Sequence, residues 1–243
     1  MVITDVTAGE GVLAVMGPNA RKLLQAVSPA DFTNDVNPFG TAQDIEIGMG
    51  MARVHRVTYV GELGWEVYVS ADQAGHVFET LHDAGKDFGL TMCGMHMMDT
   101  CRIEKGFRHF GHDITCEDHV LEAGLGFAVK KDKPDFIGRE AVLEKQETGL
   151  NKRMVQFKLT DPEPLLYHNE PILRDGELVG YLSSGAYGHT LGGAMGLGYV
   201  PCKGETAADV LASTYAIDVM GTNVRAEASL RPMYDPKSER VKV

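Results

Sequence analysis

The sequence predicts an α+β protein. Helix and strand signals mix up to about residue 150, and a β-rich stretch from 151 to 243 reads as a small barrel or sandwich. Three observations predict this. Before residue 150, short apolar runs and period-two segments alternate with segments of helical period. After it, the alternating segments are short and bounded by turn residues. The strongest turn is Arg174-Asp175-Gly176-Glu177, because Asp-Gly tolerates the positive φ of a tight hairpin. Finally, 243 residues with 44% hydrophobic and 23% charged side chains suffice for one large core or two smaller ones.

The elements follow in order. Val12–Met16 is an apolar run that reads as a buried strand, and Gly17-Pro18-Asn19 opens a helix with Pro18 at its first position and Leu23, Leu24 and Val27 on its apolar face. An irregular stretch with Pro29 and Pro38 comes next. Residues 51–59 and 65–69 then alternate on either side of Gly61-Glu62-Leu63-Gly64, a hairpin. Ser70 and Gln73 have the spacing of a capping box, ahead of a helix that presents Ala74, Val77, Phe78 and Leu81 and ends at Gly85. Further helices are predicted from about Met95 to Lys105, stopped by Gly106, and over Arg139–Glu147, with Gly149 beyond. Past the boundary near 148–151, Lys152–Thr160 alternates with Val155, Phe157 and Leu159 on one side, and strands follow around 178–183, 194–200, 212–219 and 223–230. The domains expected are therefore 1–150 and 151–243.

Charge excludes some functions. There are 23 Lys and Arg against 34 Asp and Glu, a net charge of −11, and no basic patch offsets it, so nucleic acid and anionic membrane are not expected partners. The longest weakly charged run, Thr190–Cys202, is too short to span a bilayer, and Met1–Asp5 lacks the basic and apolar regions of a secretory signal. Cysteines at 93, 101, 116 and 202 show no C-x-x-C spacing and are expected as reduced thiols in a cytoplasmic protein.

Most candidate chemistry has an ordinary explanation. Gly192–Gly198 sits among β signals, without the strand-loop-helix setting of a dinucleotide loop, so these glycines are expected where strands pack closely. His109 and His112 would share a face only on a helix, which Gly106 and Gly111 oppose, so no metal site is assigned. No G-x-S-x-G elbow occurs. Glu66 is the suggestive residue. It lies between Trp65 and Val67 on an apolar strand, facing away from both. A carboxylate has two parallel acceptors that suit a ligand edge with two adjacent N–H donors, such as the aminopyrimidine edge of a pterin; an exposed strand carboxylate or a local ion pair is the alternative.

Several segments together resemble a known family. Tyr59-Val60-Gly61-Glu62-Leu63-Gly64-Trp65-Glu66 is similar to the Y-x-G-E-x-G-x-E signature of the glycine-cleavage T-protein (aminomethyltransferase) family. Arg102–Gly106 with Gly111-His112-Asp113, Leu121–Gly126, Asp135–Glu140, Gly196–Val200 and Pro232–Pro236 follow in the family's order. The details resemble the folate-binding C-terminal region of dimethylglycine and sarcosine dehydrogenases, since Met98 stands where the T-protein has a folate-contacting arginine. A branch that assists iron–sulfur assembly carries a cysteine in K-G-C-Y-x-G-Q-E, and this chain has none in Lys133–Glu140.

The resemblance implies a ferredoxin-like (split βαβ) folate-binding region before the barrel. It also implies transfer of a one-carbon unit from an aminomethyl or imine group to tetrahydrofolate, giving methylenetetrahydrofolate. Glu66 matches the pterin-holding glutamate. Tyr59, Arg102 and Tyr234 are the other expected cofactor-binding residues, with a structural pairing to Glu104 or another carboxylate as the alternative for Arg102. The family's catalytic aspartate belongs to a stretch preceding the matched motifs, and no residue here, Asp5 included, is assigned its role. The chain is therefore expected to be a fragment, a shortened relative or a subunit completed by another chain. Expected partners are folate, a small amine-derived donor, and a flavoprotein dehydrogenase or a second copy. A non-catalytic folate-binding or scaffold module is the alternative, as is a remnant without ligand.

Overall fold

Period-two alternation builds the first sheet of the computed structural model, which describes residues 1–243. Its strands are β1 (Glu10–Met16), β2 (Ala42–Ile47), β3 (Gly50–His55) and β4 (Gly64–Ser70), all antiparallel in the order β1-β4-β3-β2. Ile45, Ile47, Ala52, Val54, Trp65, Val67 and Val69 turn to one face and share a core with Leu23 and Leu24 of α1 (Ala20–Val27) and Val77 and Leu81 of α2 (Ala74–Gly85). The β3–β4 hairpin is present, although β3 stops at His55. β2 lies within the stretch read as irregular: its alternation is short and closely flanked by Pro38 and Gly48. Two helix starts differ from the expectation. Pro18 is not the first helical residue, because α1 begins at Ala20 with Asn19 at the N-cap position. The Ser70–Gln73 capping box does not form, because Gln73 Oε1 accepts from the Met51 amide, 3.0 Å away.

Trp65 is wholly buried and is the centre of this unit. Phe32 meets it edge-on at 5.5 Å, and its Nε1 donates to Asn37 Oδ1. The guanidinium groups of Arg21 and Arg56 lie 5.8 and 5.6 Å from the indole centroid. Arg56 is 1% exposed and pairs with no Asp or Glu side chain. It donates instead to Asn34 Oδ1 (2.6 Å), Asn37 O (2.7 Å) and Val243 O (2.9 Å). Burial, reinforced by the neighbouring Arg21 charge, pushes the Arg56 guanidinium below its usual pKa.

The β-rich region closes into a six-stranded antiparallel barrel, ordered β10-β5-β8-β7-β6-β9, rather than opening into a sandwich. Its strands are β5 (Lys152–Leu159), β6 (Pro171–Arg174), β7 (Glu177–Gly188), β8 (Gly193–Pro201), β9 (Tyr215–Val219) and β10 (Thr222–Ser229). Val155, Phe157 and Leu159 fill the interior, as their alternation predicts, with Ile172, Leu182, Val200 and Ile217. The glycines of β8 act through close approach. A Cβ at Gly198 would lie 2.6 Å from Ile172 Cδ1 and 2.7 Å from Tyr181 O. The start of the strand expected at 212–219 belongs instead to α5 (Ala207–Ala212), which carries the reciprocal capping box, Thr206 with Asp209.

By packing, the chain divides into Met1–Met98 with Lys237–Val243, and Asp99–Pro236. The first barrel strand begins at Lys152, near the compositional boundary. The compact unit built on the barrel begins earlier, at Asp99, and includes the end of α3 (Met95–Glu104) and all of α4 (Arg139–Thr148). A final helix, α6 (Glu239–Lys242), lies in the first unit. No helix is long and apolar enough to cross a membrane.

Two consequences are measurable by chemical denaturation. Gly198→Ala is expected to cost about 1–3 kcal/mol, because backbone must move to admit the methyl group; unchanged stability would show that β7 and β8 have slack. Arg56→Lys keeps the charge but loses the planar fork, and is expected to cost about 1–3 kcal/mol. A neutral effect there would mean that the three oxygens need no fork.

Candidate functional site

In the first unit, strand alternation sends Glu66 to the sheet face opposite the helices. It pairs across with Ala14 on β1 and His55 on β3. Tyr68, two residues on, shares that face. Its hydroxyl donates to Glu66 Oε2 at 2.7 Å, and this bond is the main reason the phenol's pKa is raised. The His55 ring lies against Tyr68 with centroids 4.6 Å apart. One carboxylate oxygen is therefore fixed by a phenol, while Oε1 makes no hydrogen bond within the chain. Ala14 stands across from it on one side and His55 on the other, with the Tyr68 ring two residues along the strand. Such a group can accept an N–H edge of a planar ligand.

Tyr59 is half-buried in the connection between β3 and β4. That turn is shaped by the Thr58 hydroxyl, which accepts from the amides of Val60 and Gly61, and by Gly61 at φ +78°. Tyr59 and Glu66 both belong to the first unit. Arg102 and Tyr234 belong to the second.

Arg102 is 2% exposed. Its Nε donates to Asp99 Oδ1 (2.9 Å), Nη1 to Asp113 Oδ2 (2.5 Å) and Phe107 O (3.3 Å), and Nη2 to Ser184 Oγ (2.8 Å). Asp113, also buried, accepts in addition from the His109 amide and the Ser183 hydroxyl. The structure thus gives this arginine two carboxylates of its own chain. Glu104 is not one of them, because its Oε1 accepts from the amides of Thr190 and Leu191 at 2.8 and 3.0 Å.

Tyr234 lies in the segment after β10. Its amide donates to Glu104 O at 3.3 Å, and the Met233 amide donates to Gln156 Oε1 at 2.9 Å. The next residue, Asp235, adopts φ +42° and is held by Lys105. His109 and His112 stack on each other at 5.1 Å.

Sequence reasoning named Glu66 but not its companions. Tyr68 was within reach, since two residues along a strand return to the same face. His55 required the register, and Asp113, Ser183 and Ser184 required the tertiary fold.

Residues 1–133 match the family described as the GCVT N-terminal domain, and residues 152–235 match the glycine cleavage T-protein C-terminal barrel domain. The first match extends well before Tyr59, where the recognisable motifs begin. The chain is 42% identical over 241 residues to 4-methylaminobutanoate oxidase (formaldehyde-forming) of Paenarthrobacter nicotinovorans, covering 99% of this chain and 29% of that protein. It is 34% identical over 244 residues to mitochondrial sarcosine dehydrogenase of Homo sapiens, covering 99% and 26%. It is 40% identical over 194 residues to an aminomethyltransferase of Halothermothrix orenii, covering 78% and 52%. The chain therefore spans less than a third of the oxidase and the dehydrogenase. The solved aminomethyltransferase T of the Bartonella henselae glycine cleavage system superposes with a TM-score of 0.79 at 23% identity, over 93% of this chain and 60% of that one, and so shares the fold. The chain belongs to the glycine-cleavage T-protein (aminomethyltransferase) family.

Proposed function

We propose that this chain binds tetrahydrofolate and serves transfer of a one-carbon unit from an aminomethyl or imine group, giving methylenetetrahydrofolate. The observation that carries the reading is Glu66. Its carboxylate is anchored through Oε2 by Tyr68, presents Oε1 without a partner, and stands beside the rings of Tyr68 and His55. That carboxylate acceptor and the rings beside it fit a flat aminopyrimidine, which offers adjacent N–H groups and a face for stacking. Bound tetrahydrofolate would supply the nucleophilic nitrogens that take up the carbon. Glu66 accepts the pterin N–H edge, Tyr68 fixes the direction of the carboxylate, and Tyr59, in the same unit, lines the pocket. Arg102, in the second unit, holds Asp99 and Asp113 of that unit in place.

The relatives support a division of labour. One is named as a formaldehyde-forming oxidase of a methylamino acid and another as a sarcosine dehydrogenase, and both are several times longer than the part this chain matches. We therefore assign amine oxidation to a flavoprotein partner or segment, with this chain receiving the carbon at the formaldehyde level. A folate-binding module without turnover is the second reading.

Calorimetric titration with 5-formyltetrahydrofolate tests the site. Wild type is expected to bind saturably. Glu66→Gln should weaken binding by about tenfold or more, the value of a hydrogen bond to a charged group. Tyr68→Phe, which frees the carboxylate without removing it, should cause a smaller loss. Undiminished binding in Glu66→Gln would refute the assigned pocket. Methylene transfer by the wild type would then separate the transferase from the binding module.

A further inference from the structure

We propose that the outer face of the barrel, where β6, β9 and β10 lie side by side, carries a binding site for a small organic carboxylate. The proposal does not rest on the folate reading, and every residue in it belongs to the second unit. Strand alternation supplies the starting point. Ile172, Ile217, Val224 and Ala226 turn into the barrel, which sends Leu173, Ala216, Asn223 and Arg225 outward. In register, Ala216 stands opposite Leu173 of β6 on one side and Arg225 of β10 on the other. Each neighbouring strand is about 4.8 Å away across the sheet. A methyl group between two long side chains leaves a hollow. Its volume is about 400 Å³, within the range of small-molecule sites.

The lining has an apolar and a polar side. Leu173 and Ala216 form the first, and Thr214, Asn223 and Arg225 the second. Thr214 is already engaged, since its amide and hydroxyl donate to Asp175 Oδ1 at 2.8 and 2.9 Å. The side chains of Asn223 and Arg225 make no hydrogen bond or ion pair within the chain. The contrast with Arg174 of β6 is direct. That guanidinium is held by both carboxylate oxygens of Glu205, at 2.8 and 3.0 Å, and by the Ser213 hydroxyl at 2.8 Å. Asp218, paired across from Asn223, accepts instead from the Gly221 amide at 2.7 Å. In a chain of net charge −11, Arg225 is thus left without a carboxylate beside an apolar hollow. Its planar fork offers two parallel N–H donors that match a carboxylate, and the Asn223 amide adds another. The body of the ligand then covers Leu173 and Ala216. Seven residues line the hollow. That is the footprint of one small molecule, against roughly 20–30 residues on each side of a protein interface.

Benzoate is the probe, with benzamide as its uncharged counterpart of the same shape. Each is titrated into the isotope-labelled full chain while amide chemical shifts are followed. Benzoate should move the amides of Ala216, Asn223 and Arg225 saturably, and benzamide should bind about tenfold or more weakly. Arg225→Gln should bring benzoate down to the level of benzamide. Ala216→Leu, which fills the hollow, should abolish binding of both. Both positions face outward, so the variants should fold as the wild type does; if either does not, the comparison of the two probes on the wild type decides. No saturable shift, equal affinity for the two probes, or full binding in Ala216→Leu would overturn the site. Shifts caused by a hexaglutamate peptide but by neither small probe would give this face to an acidic protein segment, and would overturn the small-molecule assignment.

Discussion

The second unit is organised by the burial of three charges in a run of four residues. Arg102, Glu104 and Lys105 are each 2% exposed or less, with Ile103 between them at 1%. A helix end cannot satisfy these groups alone, and a buried charge whose partner is removed costs about 3–5 kcal/mol. Each therefore draws a different segment inward. Arg102 gathers Asp99, Phe107, Asp113 and Ser184 of β7. Glu104 takes the two amides that open the β7–β8 turn, and Lys105 takes the turn at Asp235. This is why the unit begins at Asp99, well before the first barrel strand: the irregular chain between α3 and α4 buries few of its apolar side chains and is held by ions and hydrogen bonds. Its other fixed point is Glu122, paired with Lys145 at 2.8 Å and accepting from the Asn151 amide at 2.9 Å.

The first unit solves a similar problem without Asp or Glu side chains. Arg56 is buried beside a second arginine and compensated by Asn34 Oδ1, the main-chain oxygens of Asn37 and Val243, and the indole face of Trp65. Such a core is specific in its geometry, because a guanidinium fork must find every acceptor in place. The sheet it supports has one face closed by helices and another that carries Glu66, Tyr68 and His55. Rigidity on the closed face lets a single carboxylate be aimed on the other, a requirement of any site that recognises a flat, hydrogen-bonding ligand.

Much of this was legible in the sequence, for local reasons. Alternation placed Trp65 and Val67 inside and Glu66 outside, and Val155, Phe157 and Leu159 in the barrel. Asp175-Gly176 marked its hairpin, and the glycines of β8 were read as close-packing positions. The misses have equally local causes. β2 is a short alternation hidden between turn residues. Gln73 had a tertiary partner, Met51, that outcompeted the cap. The company kept by the candidate residues was not legible, because it is non-local. His55 meets Glu66 only through strand register, and Arg102 meets Ser184 across more than eighty residues of chain. Burial of Arg102, Glu104 and Lys105 runs against the usual exposure of these types, so no periodicity rule reveals it.

Native-state hydrogen exchange tests most directly whether the buried charges bind the segment after α3 to the barrel. If they do, the amides of Gly106, Phe107 and Asp113, bonded within that segment, should open with the same free energy as those of Val155 and Leu197 in the barrel. Exchange of the first group through openings about 2 kcal/mol or more below the barrel's would show that the segment unfolds independently, and would contradict the organising role of the three charges.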